Sequence, residues 1–179
     1  FHGGATGASL LVADVYGGRS QAGSASTVLK ALNWLVANDP KVINISLVGP
    51  PNALMKRAVE AVRGRGIYVV AAVGNDGPAA PPQYPASYPG VIAVTAVDST
   101  GKALLESGTA IGLDFGAPGS NMAAARPGAG YARVGGTSFA APLAAGRLAT
   151  LRSLERLERD GKPRERSANV YTPSPMPCS

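Results

Sequence analysis

Cysteine and histidine are almost absent from this 179-residue chain, and their scarcity excludes several kinds of site. The single cysteine, Cys178, lies one residue from the C-terminus, which rules out an internal disulfide and a cysteine-ligated metal site. The single histidine is His2. No run reaches the roughly 18 consecutive apolar residues of a membrane span, and the first residues lack the basic start of a signal peptide.

Aromatic residues are also scarce, at 6% of the chain, which weakens a nucleic-acid interpretation of the net charge of +6. Residues 147–166 alone hold seven Arg and Lys against four Asp and Glu, which is half of the excess. No basic stretch is interleaved with aromatic residues, as it would be in a typical nucleic-acid-binding protein. We therefore expect no nucleic-acid partner.

Apolar runs that alternate with helical patterns predict an α/β fold. Helical spacing follows several N-cap candidates within Ser24 to Thr27 and the N-cap candidate Asn52, and a third helix is predicted from Thr137. Such an alternation favours a three-layer fold, with a mostly parallel sheet and helices on both faces. The tail, 158–179, is charged and proline-rich and is expected to be disordered, which leaves 1–157 as the domain. Four runs are predicted as buried strands: 10–15, "KVINISL" (41–47), "IYVVAAV" (67–73) and "VIAVTAV" (91–97).

Two polar residues at the ends of these elements favour acyl-transfer chemistry. In "VGGTSFAAP" (134–142), Ser138 lies at a helix start, where free N–H groups and the helix dipole stabilise developing negative charge. Taken alone, the motif is explained better by a helix cap. Asn75, in "AAVGND", either closes a turn or donates its amide into the crevice at the strand ends. Together the two residues favour a nucleophile and an oxyanion donor.

Five stretches, in this order, resemble the subtilisin-like serine proteases, the subtilases: "VINISL", "VVAAVGNDG", "YPASYPGVIAVTAVD", "FGAPG" and "GGTSFAAP". The likeness runs from about Gly7 to Thr150. It implies a serine endopeptidase that hydrolyses peptide bonds through an acyl-enzyme on Ser138, with Asn75 in the oxyanion hole. It also implies a polypeptide substrate and, by the habit of the family, export from the cell.

The resemblance further implies a substrate cleft around the nucleophile. The loop "QYPASYP" (83–89) resembles the base of the family's first specificity pocket, where a cis proline is usual, so Tyr84–Pro85 is expected to be cis. Val48 stands where the family usually has glycine and is expected to narrow the pocket. The implied substrate-binding residues are Ser46, Leu47, Val48 and Gly49 in one wall, Ala72, Val73 and Gly74 in the other, and Gly136 and Thr137 beside the serine.

The partners that would activate Ser138 are not identifiable in the sequence. Subtilases carry an Asp and then a His ahead of the strand that "ASLLVADVYGG" resembles, and this sequence begins at that strand. His2 has a faint likeness to the family's "HGT" motif. The residues that follow it, however, match a segment that comes later in subtilases, directly ahead of the next strand. The catalytic Asp of subtilases precedes their His. Four aspartates of this chain come after His2 and therefore do not correspond to it: Asp14, Asp76, Asp98 and Asp114. We expect a truncated domain without the family's N-terminal strand and helix, of very low activity unless the missing part of its own fold is its partner.

Two alternatives stay open. An inactive homologue would serve as a peptide-binding or structural module, since "SLVG" and "AAVG" offer backbone edges to an extended peptide. In the family fold the Asp-bearing strand lies inside the sheet, and its absence would expose strand edges, which favours a fragment over a module.

A dinucleotide-binding domain is disfavoured because "YGGRSQAGSAS" lacks the glycine fingerprint. No cofactor or metal is expected; the family allows for calcium, but no calcium site is identifiable.

Overall fold

The computed structural model describes residues 4–17, 23–126 and 128–159. The strands are β1 (Val42–Ile45), β2 (Tyr68–Ala72), β3 (Ile92–Val97), β4 (Leu113–Pro118), β5 (Met122–Ala125) and β6 (Tyr131–Val134). The helices are α1 (Ala25–Ala37), α2 (Ala53–Gly64) and α3 (Thr137–Arg159). Residues 160–179 of the predicted tail lie outside the described residues, so the disorder of the tail and the domain boundary stay predictions.

Four strands form a parallel sheet in the order β1, β2, β3, β4. The register pairs Ile45 with Ala71 between β1 and β2, and Ala72 with Val94 between β2 and β3. Because the strands run in one direction, the loops that follow β1, β2 and β4 leave from the same edge of the sheet. The predicted parallel α/β fold is confirmed. The second, third and fourth of the predicted apolar runs form β1, β2 and β3.

Helices cover both faces of the sheet, as expected. Successive residues of β2 point to opposite faces, so Val69 packs in the α1–α2 core and Val70 packs in the α3 core. The predicted helix starts are confirmed as well, since the side chains of Ser24 and Asn52 accept hydrogen bonds from backbone N–H groups in the first turns of α1 and α2. The sheet is therefore the middle layer of three.

The start of α3 packs closely against the sheet through small side chains. Ala140 and Ala141 are fully buried in the core that α3 shares with β2 and β3. Pro142, the sixth residue of α3, has no N–H to donate to the Ser138 carbonyl four residues earlier. That carbonyl accepts from the Ser46 hydroxyl at 3.0 Å instead, so the missing helical bond is replaced. This packing fixes the position of the first turn of α3 relative to the strand ends.

The strand predicted over residues 10–15 is absent, and that prediction was wrong. Leu10 and Val12 are 85% and 70% exposed, and no ladder pairs this segment with any part of the chain that the structure describes. The composition suits a buried strand, but a strand also needs a neighbour for its backbone N–H and C=O groups. β1 pairs only with β2, so its other edge is open within the same ranges. We had not expected the antiparallel pair β5 and β6.

We predict that Ala141→Leu lowers the free energy of unfolding by about 1–3 kcal/mol, because the larger side chain cannot fit between α3 and the sheet. The matched control is Ala61→Leu on the exposed side of α2, where the change should stay within about 0.5 kcal/mol. Urea denaturation measures both. Equal effects at the two positions would show that α3 does not pack closely on the sheet.

Candidate active site

Asn75 joins the end of β2 to the start of α3. Its Oδ1 accepts a hydrogen bond from the backbone N–H of Thr137 at 2.9 Å and another from the Thr137 hydroxyl at 3.1 Å. Two donors at one atom identify that atom as the oxygen of the carboxamide, which leaves the Asn75 NH₂ group on the opposite branch. No acceptor for this NH₂ group is found in the described ranges. Asn75 therefore presents a donor at the exposed side of the site.

Gly136 permits the close approach of Asn75 to α3. Its φ of +113° lies in the region that glycine alone adopts readily. A Cβ at this position would also come within 3.0 Å of Asn75 Oδ1 and 3.2 Å of Asn75 Nδ2. The Gly136 N–H donates to the Gly119 carbonyl at 2.8 Å, so the turn that leads into α3 is fixed from the end of β4. A side chain at Gly136 would therefore strain the backbone and push the Asn75 carboxamide away by a few tenths of an ångström.

Ser138 and Ser46 exchange hydrogen bonds across the strand ends. The Ser46 hydroxyl donates to the Ser138 carbonyl at 3.0 Å, and the Ser138 hydroxyl donates to the Ser46 carbonyl at 3.3 Å. Asn44 Nδ2 in turn donates to the Ser46 hydroxyl at 3.0 Å. Ser46 directly follows β1, so these bonds hold the first turn of α3 against the carboxyl end of that strand.

Two N–H donors lie at the start of α3, the helix that carries Ser138. One is the NH₂ group of Asn75. The other is the backbone N–H of Ser138, which lies in the first turn of α3, where helical N–H groups have no intrahelical acceptor. The positive end of the dipole of this 23-residue helix lies at the same place. The arrangement suits a negatively charged oxygen next to the serine.

The two predicted cleft walls separate beyond the last pair of the β1–β2 ladder. Gly49 pairs with Tyr84 through two backbone hydrogen bonds of 3.0 Å, whereas the Gly74 carbonyl accepts from Gly108 N–H at 2.8 Å. Val48 is 45% exposed between them, and the Tyr84–Pro85 bond is cis as expected. All the predicted site residues lie at this edge or at the start of α3: Ser46, Leu47, Val48, Gly49, Ala72, Val73, Gly74, Asn75, Gly136, Thr137 and Ser138. Their roles stay predictions.

No described carboxylate is hydrogen-bonded to Ser138. Asp14 accepts from backbone amides of its own turn at 2.9 and 3.0 Å, and Asp114 accepts from the Ala93 N–H at 2.9 Å. The Thr100 hydroxyl, with two backbone amides, holds the pKa of Asp98 below its usual range. Asp76 is exposed and has no hydrogen bond to Ser138. His2 lies outside the described residues, so no described side chain serves as a base for Ser138.

Residues 4–17, 23–126 and 128–159 contain no group of three or more His, Cys, Asp or Glu side chains that would hold a metal ion. Their helices include none with the length and apolar character needed to cross a membrane.

Comparison with known proteins decides the family. The profile of the Subtilase family matches residues 1–168. The chain belongs to the subtilases. Subtilisin Savinase from Lederbergia lenta is 40% identical to it over 136 residues, which cover 75% of this chain and 50% of that protein. An alkaline protease from Alkalihalobacillus alcalophilus is also 40% identical over 136 residues, which cover 75% of this chain and 36% of that protein.

A solved structure gives the same result for the fold. The prenylagaramide maturation protease PagA superposes with a TM-score of 0.69 and 30% sequence identity. The matched region covers 78% of this subtilase chain and 52% of that structure. The chain therefore spans half or less of the two curated relatives named above and about half of PagA.

Sequence reasoning missed two parts of the site. The hairpin of β5 and β6 leads directly into α3, and its only signal was the turn-forming "RPGAG" (126–130) between two short apolar runs. The Ser46–Ser138 exchange joins residues 92 positions apart, and no local pattern indicates it. The strand-end position of Ser46 was the one available hint.

We predict different stabilities for two substitutions at Asn75. Asn75→Ala leaves the buried Thr137 N–H without an acceptor and should lower the free energy of unfolding by about 1–3 kcal/mol. Asn75→Asp keeps an oxygen at that position, and a carboxylate near a helix N-terminus is favourable, so its loss should stay below about 1 kcal/mol. Urea denaturation measures both variants. Equal destabilisation would contradict the assigned orientation of Asn75.

Proposed function

We propose that this chain carries the nucleophile and the oxyanion donors of a subtilisin-type serine endopeptidase. The observation that supports the proposal best is the orientation of Asn75, whose oxygen is occupied by Thr137. An asparagine that only closed a turn would not need to bond its oxygen to the residue before a serine at a helix start and leave its NH₂ group available for an oxyanion. The endopeptidase reaction uses each of these groups.

In the proposed reaction, Ser138 Oγ attacks the carbonyl carbon of a peptide bond, and its proton passes to a base. The carbonyl oxygen becomes an oxyanion and accepts hydrogen bonds from Asn75 Nδ2 and the Ser138 N–H. The C–N bond then breaks, and the amine leaves with the proton from the base. Water hydrolyses the acyl group on Ser138 and releases the acid. One oxyanion donor of this kind contributes about 10²–10³ in rate.

The proposed substrate is an extended polypeptide lying between the segments 46–49 and 72–74. Ala72 and Val73 are fully buried, so these residues present backbone rather than side chains to the cleft. An extended chain would pair with such backbone edges as an added strand. We also propose that the protein is exported, by analogy with subtilisins.

We propose that the base and the group that orients it belong to a segment that pairs with the open edge of β1. The exposed Leu10 and Val12 need an apolar neighbour, and a cleft of about 340 Å³ lies between residues 12–15 and α1, beside Trp34. The Ser138 hydroxyl donates to a carbonyl, which cannot take its proton. Without that segment, the loss of triad members is expected to lower kcat by about 10⁴–10⁶.

The second candidate is a peptide-binding or structural module without catalysis. One observation favours it: the Ser138 hydroxyl already has an acceptor in the Ser46 carbonyl, so the site is stable with no base. In that case peptides would bind in the cleft, and Ser138 would stay unreactive in every form of the protein.

We predict that a fluorophosphonate probe labels this chain slowly and only at Ser138, because the oxyanion donors are present and a base is lacking. Mass spectrometry measures the rate. Ser138→Ala should abolish labelling, and Asn75→Asp should slow it by about 10²–10³. Rapid labelling of the parent chain would show that a base is already present, and labelling that survives Ser138→Ala would disprove the assigned nucleophile.

We predict that the chain extended by the residues its gene encodes ahead of Phe1 is labelled at least about 10³-fold faster, since the extension would bring the base and its orienting group. Fusion of an unrelated segment of equal length is the control. A start codon directly before Phe1, or an extension that pairs with β1 without raising the labelling rate, would overturn the proposal. Saturable peptide binding by such an unreactive protein would establish the module instead.

A further inference from the structure

The side chains of Val48 and Gln83 both lie beside Gly74, at the inner end of the proposed cleft. A Cβ placed on Gly74 would lie 3.3 Å from Gln83 Cγ and 3.6 Å from Val48 Cγ1. Val48 belongs to the wall that follows β1, and Gln83 comes from the loop between β2 and β3. The space beside Gly74, which belongs to the other wall, is therefore occupied from two sides.

The backbone around Gln83 is held firmly. Its carbonyl accepts from the Ser87 N–H at 3.1 Å, and the next residue, Tyr84, pairs twice with Gly49 at 3.0 Å. Tyr88 in the same loop is buried, and its hydroxyl donates to the Asn52 carbonyl at 2.8 Å. The side chain of Gln83 therefore starts from a fixed position next to the cleft.

The carboxamide of Gln83 has no hydrogen-bond partner in the ranges that the structure describes, although the residue is half-buried. A partly buried amide is satisfied by water or by a ligand, and removing it from water without a partner is unfavourable. Unlike Asn75, whose oxygen is bonded to Thr137, Gln83 has both its donor and its acceptor available. A bound peptide side chain with a hydroxyl group would match both.

We propose that Gln83 and Val48 make the first specificity pocket short and amide-lined, so that it selects a small hydroxyl side chain, serine or threonine, on the acyl side of the scissile bond. The inference rests on the proposed function, since it uses the same cleft. The bulk of the two side chains excludes aromatic residues. The amide discriminates further, because a site that hydrogen-bonds a hydroxyl rejects the analogue that lacks it.

The test is a titration of the isotope-labelled chain with three acetylated tetrapeptides that differ only in a C-terminal Ser, Ala or Phe. NMR shifts give the Kd values, and the side-chain NH₂ signal of Asn75 reports binding in the cleft. The Ser peptide should bind about tenfold more tightly than the Ala peptide, and the Phe peptide should bind most weakly. Equal affinities, or tighter binding of the Phe peptide, would overturn the inference.

Two variants distinguish the effect of the Gln83 amide on peptide selection from the effect of the size of the Val48 and Gln83 side chains. Gln83→Met keeps the length of the side chain and should abolish the preference for Ser over Ala. Val48→Gly with Gln83→Ala should raise affinity for the Phe peptide about tenfold. Circular dichroism checks that both variants are folded. A Ser preference that persists in Gln83→Met contradicts the role of Gln83 alone, whereas peptides that never shift the Asn75 signal contradict the cleft and with it the proposed function.

Discussion

The hydrogen bonds from Thr137 to the Asn75 carboxamide oxygen connect the two halves of the site. Thr137 is fully buried, so its N–H and hydroxyl depend on this one acceptor. The same bonds hold the first turn of α3 over the end of β2 and determine which way the Asn75 NH₂ group faces. Glycine is favoured at position 136 beside them, because its φ of +113° strains other residues and a Cβ there would press on the carboxamide. Stability and chemistry therefore depend on the same contact.

In our proposal, the open edge of β1 and the lack of a base for Ser138 among the described side chains are two aspects of one structural feature. β1 has a neighbour on one side only in the described parts of the chain, and its last residues lead to Ser46, whose carbonyl accepts the Ser138 hydroxyl. A segment added at this edge would pair with β1 and would come close to the serine through Ser46. One addition would thus complete the sheet and the site together.

The sequence predicted those parts of the structure that depend on local pattern. β1, β2 and β3 were predicted because each is a continuous apolar run bounded by turn residues, and Asn75 and Ser138 were placed together because parallel strand ends share an edge. Residues 10–15 have the same composition but no partner, so their prediction as a strand was wrong. The positions of Ser46 and Gln83 relative to the site depend on how distant loops pack, which no local pattern encodes.

The most direct test of the account is a crystal structure of the Ser138–phosphonate adduct, formed by prolonged incubation with the probe. The account predicts that the phosphonyl oxygen lies about 2.7–3.1 Å from both Asn75 Nδ2 and the Ser138 backbone nitrogen, while Asn75 Oδ1 keeps both bonds to Thr137. An adduct whose oxygen points away from Asn75, or an Asn75 that turns its oxygen toward the phosphonate, would contradict it.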